Sequence, residues 1–165
     1  MNSLMNHLHE EHAHLMPQIE AVGETRDLVG EAPTPAVLTA VAGVHRFLTT
    51  RLLPHADLEE LVLYPVVARL MGAADPTADL SRDHVEIRRL TDELRKLLDG
   101  MGDRAGDPSQ AAALRGVLHA LYVLITTHFA KEERVYPLLE RRLSPEEAHQ
   151  LYVAMMTGLV AGSGQ

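Results

Sequence analysis

Two stretches of the chain repeat the same order of His, Glu and Tyr-Pro, and this repeat limits what the chain can fold into. In both copies a His is followed four residues later by Glu, then by a second acidic residue and a Tyr-Pro pair; the copies begin at His55 and His128. Residues four apart lie on one face of an α-helix, so each copy places an imidazole beside a carboxylate. Two such pairs in one small helical chain predict two metal half-sites that face each other.

The neighbours of both pairs on the helix surface are apolar. At about 100° per residue, the positions within about 60° of His55 or His128 are aliphatic apart from Glu59 and Glu132. Buried ionisable groups are costly unless they are paired, hydrogen-bonded or bound to a metal. One such pair is compatible with a structural salt bridge, whereas two equivalent pairs indicate a cation.

The repeat extends upstream of both pairs. An acidic residue and a His occur at Glu11-His12 and again at Asp83-His84, separated from the downstream pairs by nearly equal lengths of chain. The sequence therefore predicts one domain, 1–165, built from two helical hairpins at about 3–71 and 77–142. The expected fold is all-α: an antiparallel up-down four-helix bundle with a short fifth helix at the C-terminus.

Local signals predict where the helices begin and end. Breaks are expected at residues 30–33, 72–76 and 100–106, where Gly and Pro cluster. Thr34-Pro35 and Asp107-Pro108 are typical helix starts, and residues 144–147 form a capping box. Pro54 lies inside the second helix, and because the apolar period continues across it, we expect a kink there.

Composition excludes several classes of function. Cysteine is absent, so disulfides, thiolate zinc sites, iron–sulfur clusters and thiol catalysis are excluded, while ten His supply nitrogen ligands. The net charge of −8 argues against nucleic acid and anionic membranes as partners. The N-terminus lacks the pattern of a signal peptide, and we expect a soluble, cytoplasmic protein.

The repeat defines a set of candidate metal ligands: His12, His55, Glu59, His84, His128 and Glu132. Six groups exceed the four that a single zinc ion uses. Two cations, both bridged by the two Glu and each bound by two His, would use all six, and mixed nitrogen and oxygen ligands favour iron ahead of manganese. His9 is a reserve candidate, while Tyr64 and Tyr136, at about 180° and 80° from the His of their copies, are interpreted mainly as packing residues.

These motifs resemble the hemerythrin-like family, also called the HHE cation-binding domain. The resemblance runs from Leu4 to about Leu143 and rests on His, His-x-x-x-Glu, His and His-x-x-x-Glu, with the Tyr-Pro pairs downstream. It implies a four-helix bundle around two non-haem iron ions bridged by carboxylates and an oxo or hydroxo group. Members of the family bind dioxygen, sense oxygen or nitric oxide, or handle peroxide and reactive nitrogen species.

The sequence departs from oxygen-carrying hemerythrins at two positions. Those proteins have a further His where this chain has Arg88, and an Asp five residues after the fourth-helix His, where this chain has Glu133. The resemblance then implies one iron ligand fewer than a carrier has. This favours reaction with peroxide or nitric oxide over reversible oxygen carriage. A peroxidase-like, catalase-like or nitric-oxide-related activity is compatible with it.

Three other interpretations stay open. A sensor, or a transient store of oxygen or iron, would bind its ligand without turnover and need a separate partner protein. A ferritin-like carboxylate oxidase needs Glu-x-x-His on two helices, a pattern found at residues 11–14 and 146–149. A metal-free helical scaffold is disfavoured by the duplicated His–Glu pairs.

Overall fold

The structure is a computed structural model that describes residues 3–32, 34–72, 76–101 and 107–162. Its elements, in chain order, are α1 (Ser3–Leu28), α2 (Thr34–Phe47), a first π turn (Leu48–Leu52), α3 (Leu53–Leu58), a second π turn (Glu59–Leu63), α4 (Tyr64–Met71), α5 (Ala78–Gly100), α6 (Pro108–Glu133), α7 (Tyr136–Arg142) and α8 (Pro145–Gly162). The described ranges contain helices and no strand, so the predicted all-α fold is confirmed.

Four helical columns form the bundle. The columns are α1, the run from α2 to α4, α5, and α6 with α7. α1 and α5 each pack against both α2 and α6, so every column contacts two neighbours around a square. α8 packs against α1, α3 and the second π turn, and it covers one end of the bundle. This is the predicted bundle with a fifth C-terminal helix, and that helix is 18 residues long.

Several helix ends form where the local signals place them. Asp107 caps α6 by accepting a hydrogen bond from the Ser109 amide at 2.9 Å. α4 ends at Gly72, whose φ of 62° is the left-handed conformation that favours glycine. At the start of α8, the Ser144 amide donates to Glu147 at 2.9 Å and the Glu147 amide donates to Ser144 Oγ at 3.2 Å. This reciprocal pair is the predicted capping box.

Two prolines in the second column are each preceded by a π turn. Both π turns end two residues before a proline, Pro54 in one case and Pro65 in the other. A proline ring clashes with the carbonyl four residues earlier, and a widened turn is one way for a helix to accommodate it. The column therefore stays helical through Pro54 instead of ending there.

The apolar core consists of two clusters with a polar layer between them. One cluster includes Ile19, Val41, Leu94 and Leu118, and the other includes Leu4, Leu63, Leu139 and Leu151. Along α1, Leu8 belongs to one cluster and Leu15 to the other, with His12 between them. The fold thus places the candidate ligands in the middle of the bundle, with apolar packing on either side.

The stretch Pro108–Arg142 is long and apolar enough, by length and composition, to cross a membrane. Core helices of soluble proteins often share this composition, so one such stretch is weak evidence. Here α6 packs against α1 and α5 and carries the buried His128 and Glu132. Packing inside the bundle accounts for its apolar character.

Candidate metal centre

The structure brings all six candidate ligands together in the polar layer. Each of the six residues is at most 4% exposed to solvent. They form two groups of four: His12, His55, Glu59 and Glu132 in one, and Glu59, His84, His128 and Glu132 in the other. Both carboxylates belong to both groups, so each lies between two potential cation positions.

The spacing of the candidate ligand atoms would allow a metal ion to bind. Within each group, the nitrogen and oxygen atoms all lie within 4.8 Å of one another. Two ligands on opposite sides of an ion, with bonds of about 2.1 Å, would be about 4.2 Å apart. Small side-chain adjustments are therefore enough to close either group around a cation.

Several polar atoms of the layer have no aligned hydrogen-bond partner among the described residues. They include both carboxylate oxygens of Glu59, Oε2 of Glu132 and both ring nitrogens of His55. His55 Nε2 and Glu59 Oε1 are 2.9 Å apart but are not aligned for a hydrogen bond. Leaving such buried atoms unpaired is costly, and metal coordination would satisfy them.

The electrostatics of the layer keep its carboxylates ionised. Burial alone would lower the pKa of His55, but the carboxylates of Glu59, Glu11 and Glu132 outweigh it and raise that pKa to about 10. Burial alone would raise the pKa of Glu59, but the surrounding imidazoles, His55 foremost, hold it well below its usual value. Ionised carboxylates are the form that binds metal ions.

Each imidazole turns Nε2 toward the layer and has a carboxylate on its outer, Nδ1 side. We call these four residues the outer carboxylates: Glu11 at 3.6 Å from His55, Glu60 at 2.9 Å from His84, Asp83 at 3.3 Å from His128 and Glu133 at 4.0 Å from His12. A carboxylate behind a ligand His fixes its tautomer and orientation, and it raises the basicity of the metal-binding nitrogen. Sequence reasoning missed these roles, because each outer carboxylate adjoins one candidate ligand in sequence and supports a different one in space.

Two tyrosine hydroxyls also reach the layer. Tyr64 donates to Glu132 Oε1 at 2.5 Å and lies 3.4 Å from His84 Nε2. The Tyr136 hydroxyl lies 3.1 Å from His12 Nε2. Burial, together with the nearby carboxylates, raises the pKa of both phenols, so they stay protonated and can donate hydrogen bonds. The interpretation of Tyr64 as a packing residue was therefore incomplete.

The second π turn explains why Tyr64 reaches the layer. On a regular helix, Tyr64 would lie opposite His55, at about 180°. A π turn holds one extra residue, so everything after it is rotated back by about 100°. Tyr64 then lies at about 80° from His55, which is the angle at which Tyr136 lies from His128. The sequence carries the signal, since Tyr follows His by nine positions in the first copy and by eight in the second.

The remaining candidates lie outside the layer. Arg88 is at the surface and donates a hydrogen bond to Asp57. His9 is exposed, and its ring packs edge-on against Tyr136 with 5.3 Å between centroids. His7 is 8% exposed, and its ring contacts the Tyr152 ring instead of the layer.

The ferritin-like pattern is not assembled in the structure. His14, Glu146 and His149 are all exposed. Glu11 lies beside His55, within the hemerythrin-like arrangement. The two Glu-x-x-His pairs therefore do not build a common site.

A helical bundle around a buried cluster of His and Glu side chains defines a class of metal-binding protein. The chain matches the family described as the Hemerythrin HHE cation binding domain, over residues 3–111 and again over residues 75–156. These matches extend over most of the chain, and the protein belongs to this family. No curated protein and no solved structure is a significant match to the chain.

Proposed function

We propose that this protein holds two iron ions in the polar layer and binds or reacts with a small oxidant there, either peroxide, nitric oxide or dioxygen. The observation that carries the proposal is the pair of buried four-residue groups that share both carboxylates. The unpaired oxygens of Glu59 and Glu132 fit this assignment, because a dry carboxylate pair needs compensating positive charge.

Each ion would be bound by two imidazoles and by the two shared carboxylates. His12 and His55 would serve one ion, and His84 and His128 the other. Iron held by nitrogen and oxygen ligands, with coordination positions left over, supplies one-electron redox chemistry and a place for a small ligand. Manganese fits the same donors and is the second choice.

The surroundings favour reaction over simple carriage. Arg88, which replaces a carrier's additional His, points to Asp57 and supplies no further ligand nitrogen. Tyr64 and Tyr136 place a phenol hydroxyl beside each half of the layer. Tyr136 can donate a hydrogen bond to a small oxidant that binds there, and Tyr64, which donates to Glu132 Oε1 in this structure, could do so once a metal ion takes over that oxygen. Peroxide or nitric oxide chemistry is therefore proposed ahead of oxygen carriage.

Reconstitution with ferrous iron under anaerobic conditions tests the assignment. Elemental analysis should find about two irons per chain, as in other di-iron bundles, and azide or peroxide should shift the visible absorption. A protein that stays colourless and binds no metal would overturn the proposal.

Turnover separates an enzyme from a binding protein. Sustained peroxide breakdown that is lost in His55→Ala and kept in His149→Ala, a change at an exposed histidine, supports an enzyme. Stoichiometric ligand binding without turnover supports a sensor or a transient store of oxygen or iron.

A further inference from the structure

A cleft of about 460 Å³ lies between α1 and α6, directly outside the polar layer. Its floor is formed by His12 and Phe129, which are 3% and 5% exposed. His12 is a candidate ligand whose Nε2 points away from the cleft, 3.2 Å from Glu132 Oε2. The cleft thus connects bulk solvent with the outer face of the proposed metal centre.

One aromatic ring separates the cleft from much of the layer. Phe129 stacks on the His12 ring with 3.9 Å between centroids and 12° between planes. The same ring lies 6.0 Å from His55 and 6.3 Å from His128, measured between centroids. Phe129 therefore contacts three of the four imidazoles, and a change of its side-chain rotamer would open a gap between them.

The walls of the cleft combine the small residues Ala13 and Ala130 with Met16 and with the polar side chains of His9, Thr126 and Glu133. Ala13 and Ala130, on opposing helices, both line it and both are exposed. Larger side chains at these positions would fill the space between α1 and α6. Glu133 lies at the mouth, with its carboxylate 4.0 Å from His12 Nδ1 and its side chain 53% exposed. An acidic group at the mouth of a narrow passage disfavours anions and admits small neutral molecules.

We propose that this cleft is the route by which a small neutral molecule reaches the metal centre, with Phe129 as its gate and Glu133 selecting against anions. The proposal rests on the proposed function, because it assumes a reactive centre in the polar layer. The route itself belongs to the protein, and it can be tested without metal.

Dissolved dioxygen is paramagnetic and broadens the NMR signals of side chains that it reaches. The chain has two phenylalanines, and Phe47, which lines a different pocket between α1 and α2, serves as an internal reference for Phe129. In metal-free protein, the double variant Ala13→Leu/Ala130→Leu should reduce the broadening of Phe129 by about threefold or more and leave Phe47 unchanged, because both substitutions block one passage. Equal broadening of Phe129 in the variant and the wild type would overturn the route.

Ligand-binding rates test the route in the iron-loaded protein. The double variant should slow both association and dissociation of nitric oxide by about tenfold, with an unchanged equilibrium constant, because a blocked passage is a kinetic barrier. Ala113→Leu, at an exposed alanine on the same helix, should leave these rates unchanged. Unchanged rates in the double variant would refute the route. Failure to bind iron would instead count against the proposed function, and the dioxygen experiment would still report on the cleft.

The selection against anions has its own readout. Glu133→Gln should raise the ratio of azide to nitric oxide association rates by a few fold, about the effect of removing one charge at a partly exposed mouth. High salt should reduce this difference between variant and wild type. A ratio equal to that of the wild type would overturn the role of Glu133.

Discussion

The outer carboxylates lie at different distances from their imidazoles, so we expect their removal to lower metal affinity by different amounts. Glu60 has the shortest of these distances. Glu60 lies 2.9 Å from His84 Nδ1, and its second oxygen accepts a hydrogen bond from Ser81 at 2.9 Å. The change Glu60→Gln keeps the shape and an acceptor but removes the charge behind His84. We expect metal affinity to fall by about tenfold, or ~1.4 kcal/mol, the low end for such partners because Glu60 is 36% exposed.

Glu133 provides the matched comparison for Glu60. Each follows a shared carboxylate by one position, but Glu133 is 4.0 Å from its imidazole and 53% exposed. Without a hydrogen bond, and with more solvent screening, Glu133→Gln should reduce affinity by less than about threefold.

Competition with a chromophoric chelator, using ferrous iron under anaerobic conditions, measures both variants against the wild type. Ser81→Ala should act in the same direction as Glu60→Gln, with a smaller effect, because it removes one of the contacts that hold Glu60 in place. Equal losses for Glu60→Gln and Glu133→Gln, or a larger loss for Glu133→Gln, would show that the outer carboxylates do not act through the imidazoles.

Three further predictions concern the layer and its helices. Saturating iron at about 100 times Kd should raise the Tm by about 5–10 °C, and Glu59→Gln should abolish this rise, as differential scanning calorimetry would show. Tyr64→Phe should keep the iron content but weaken azide binding in a spectroscopic titration, because a hydroxyl beside the centre is lost; unchanged affinity would exclude a donor role. Deleting Leu61, exposed in the second π turn, should leave a folded, iron-binding bundle by circular dichroism, since the turn holds one residue too many. Deleting the exposed Val123 from regular α6 rotates half of that helix by about 100° and should prevent iron binding.

The fold could be predicted because its determinants are local. Each helix start at Asp107 or Ser144 depends on side-chain contacts within three residues, and the break at Gly72 depends on one backbone conformation. The helical period then indicates which face is buried, because apolar side chains recur on one side. For the same reason the six candidate ligands could be identified as one set, since the repeat places them on inward faces.

The rest of the layer depends on contacts between columns that no single helix reveals. Glu11 precedes His12 in sequence, yet its carboxylate lies by His55 on another helix. Asp83 likewise precedes His84 and lies by His128. Such pairings follow from how the helices are rotated against each other. A pattern that is read along one helix assigns each carboxylate to the wrong imidazole.

The arrangement of the candidate ligands would link metal binding to the docking of the two predicted hairpins. The His12 group takes three candidate ligands from residues 3–71 and only Glu132 from the other hairpin. In the His84 group the proportions are reversed, and Glu59 is the single candidate ligand from the first hairpin. Neither hairpin alone contains all four members of either group, because each group includes one carboxylate from the opposite hairpin. An ion in the layer would therefore join the two halves of the bundle, and its binding energy would add to the stability of their association.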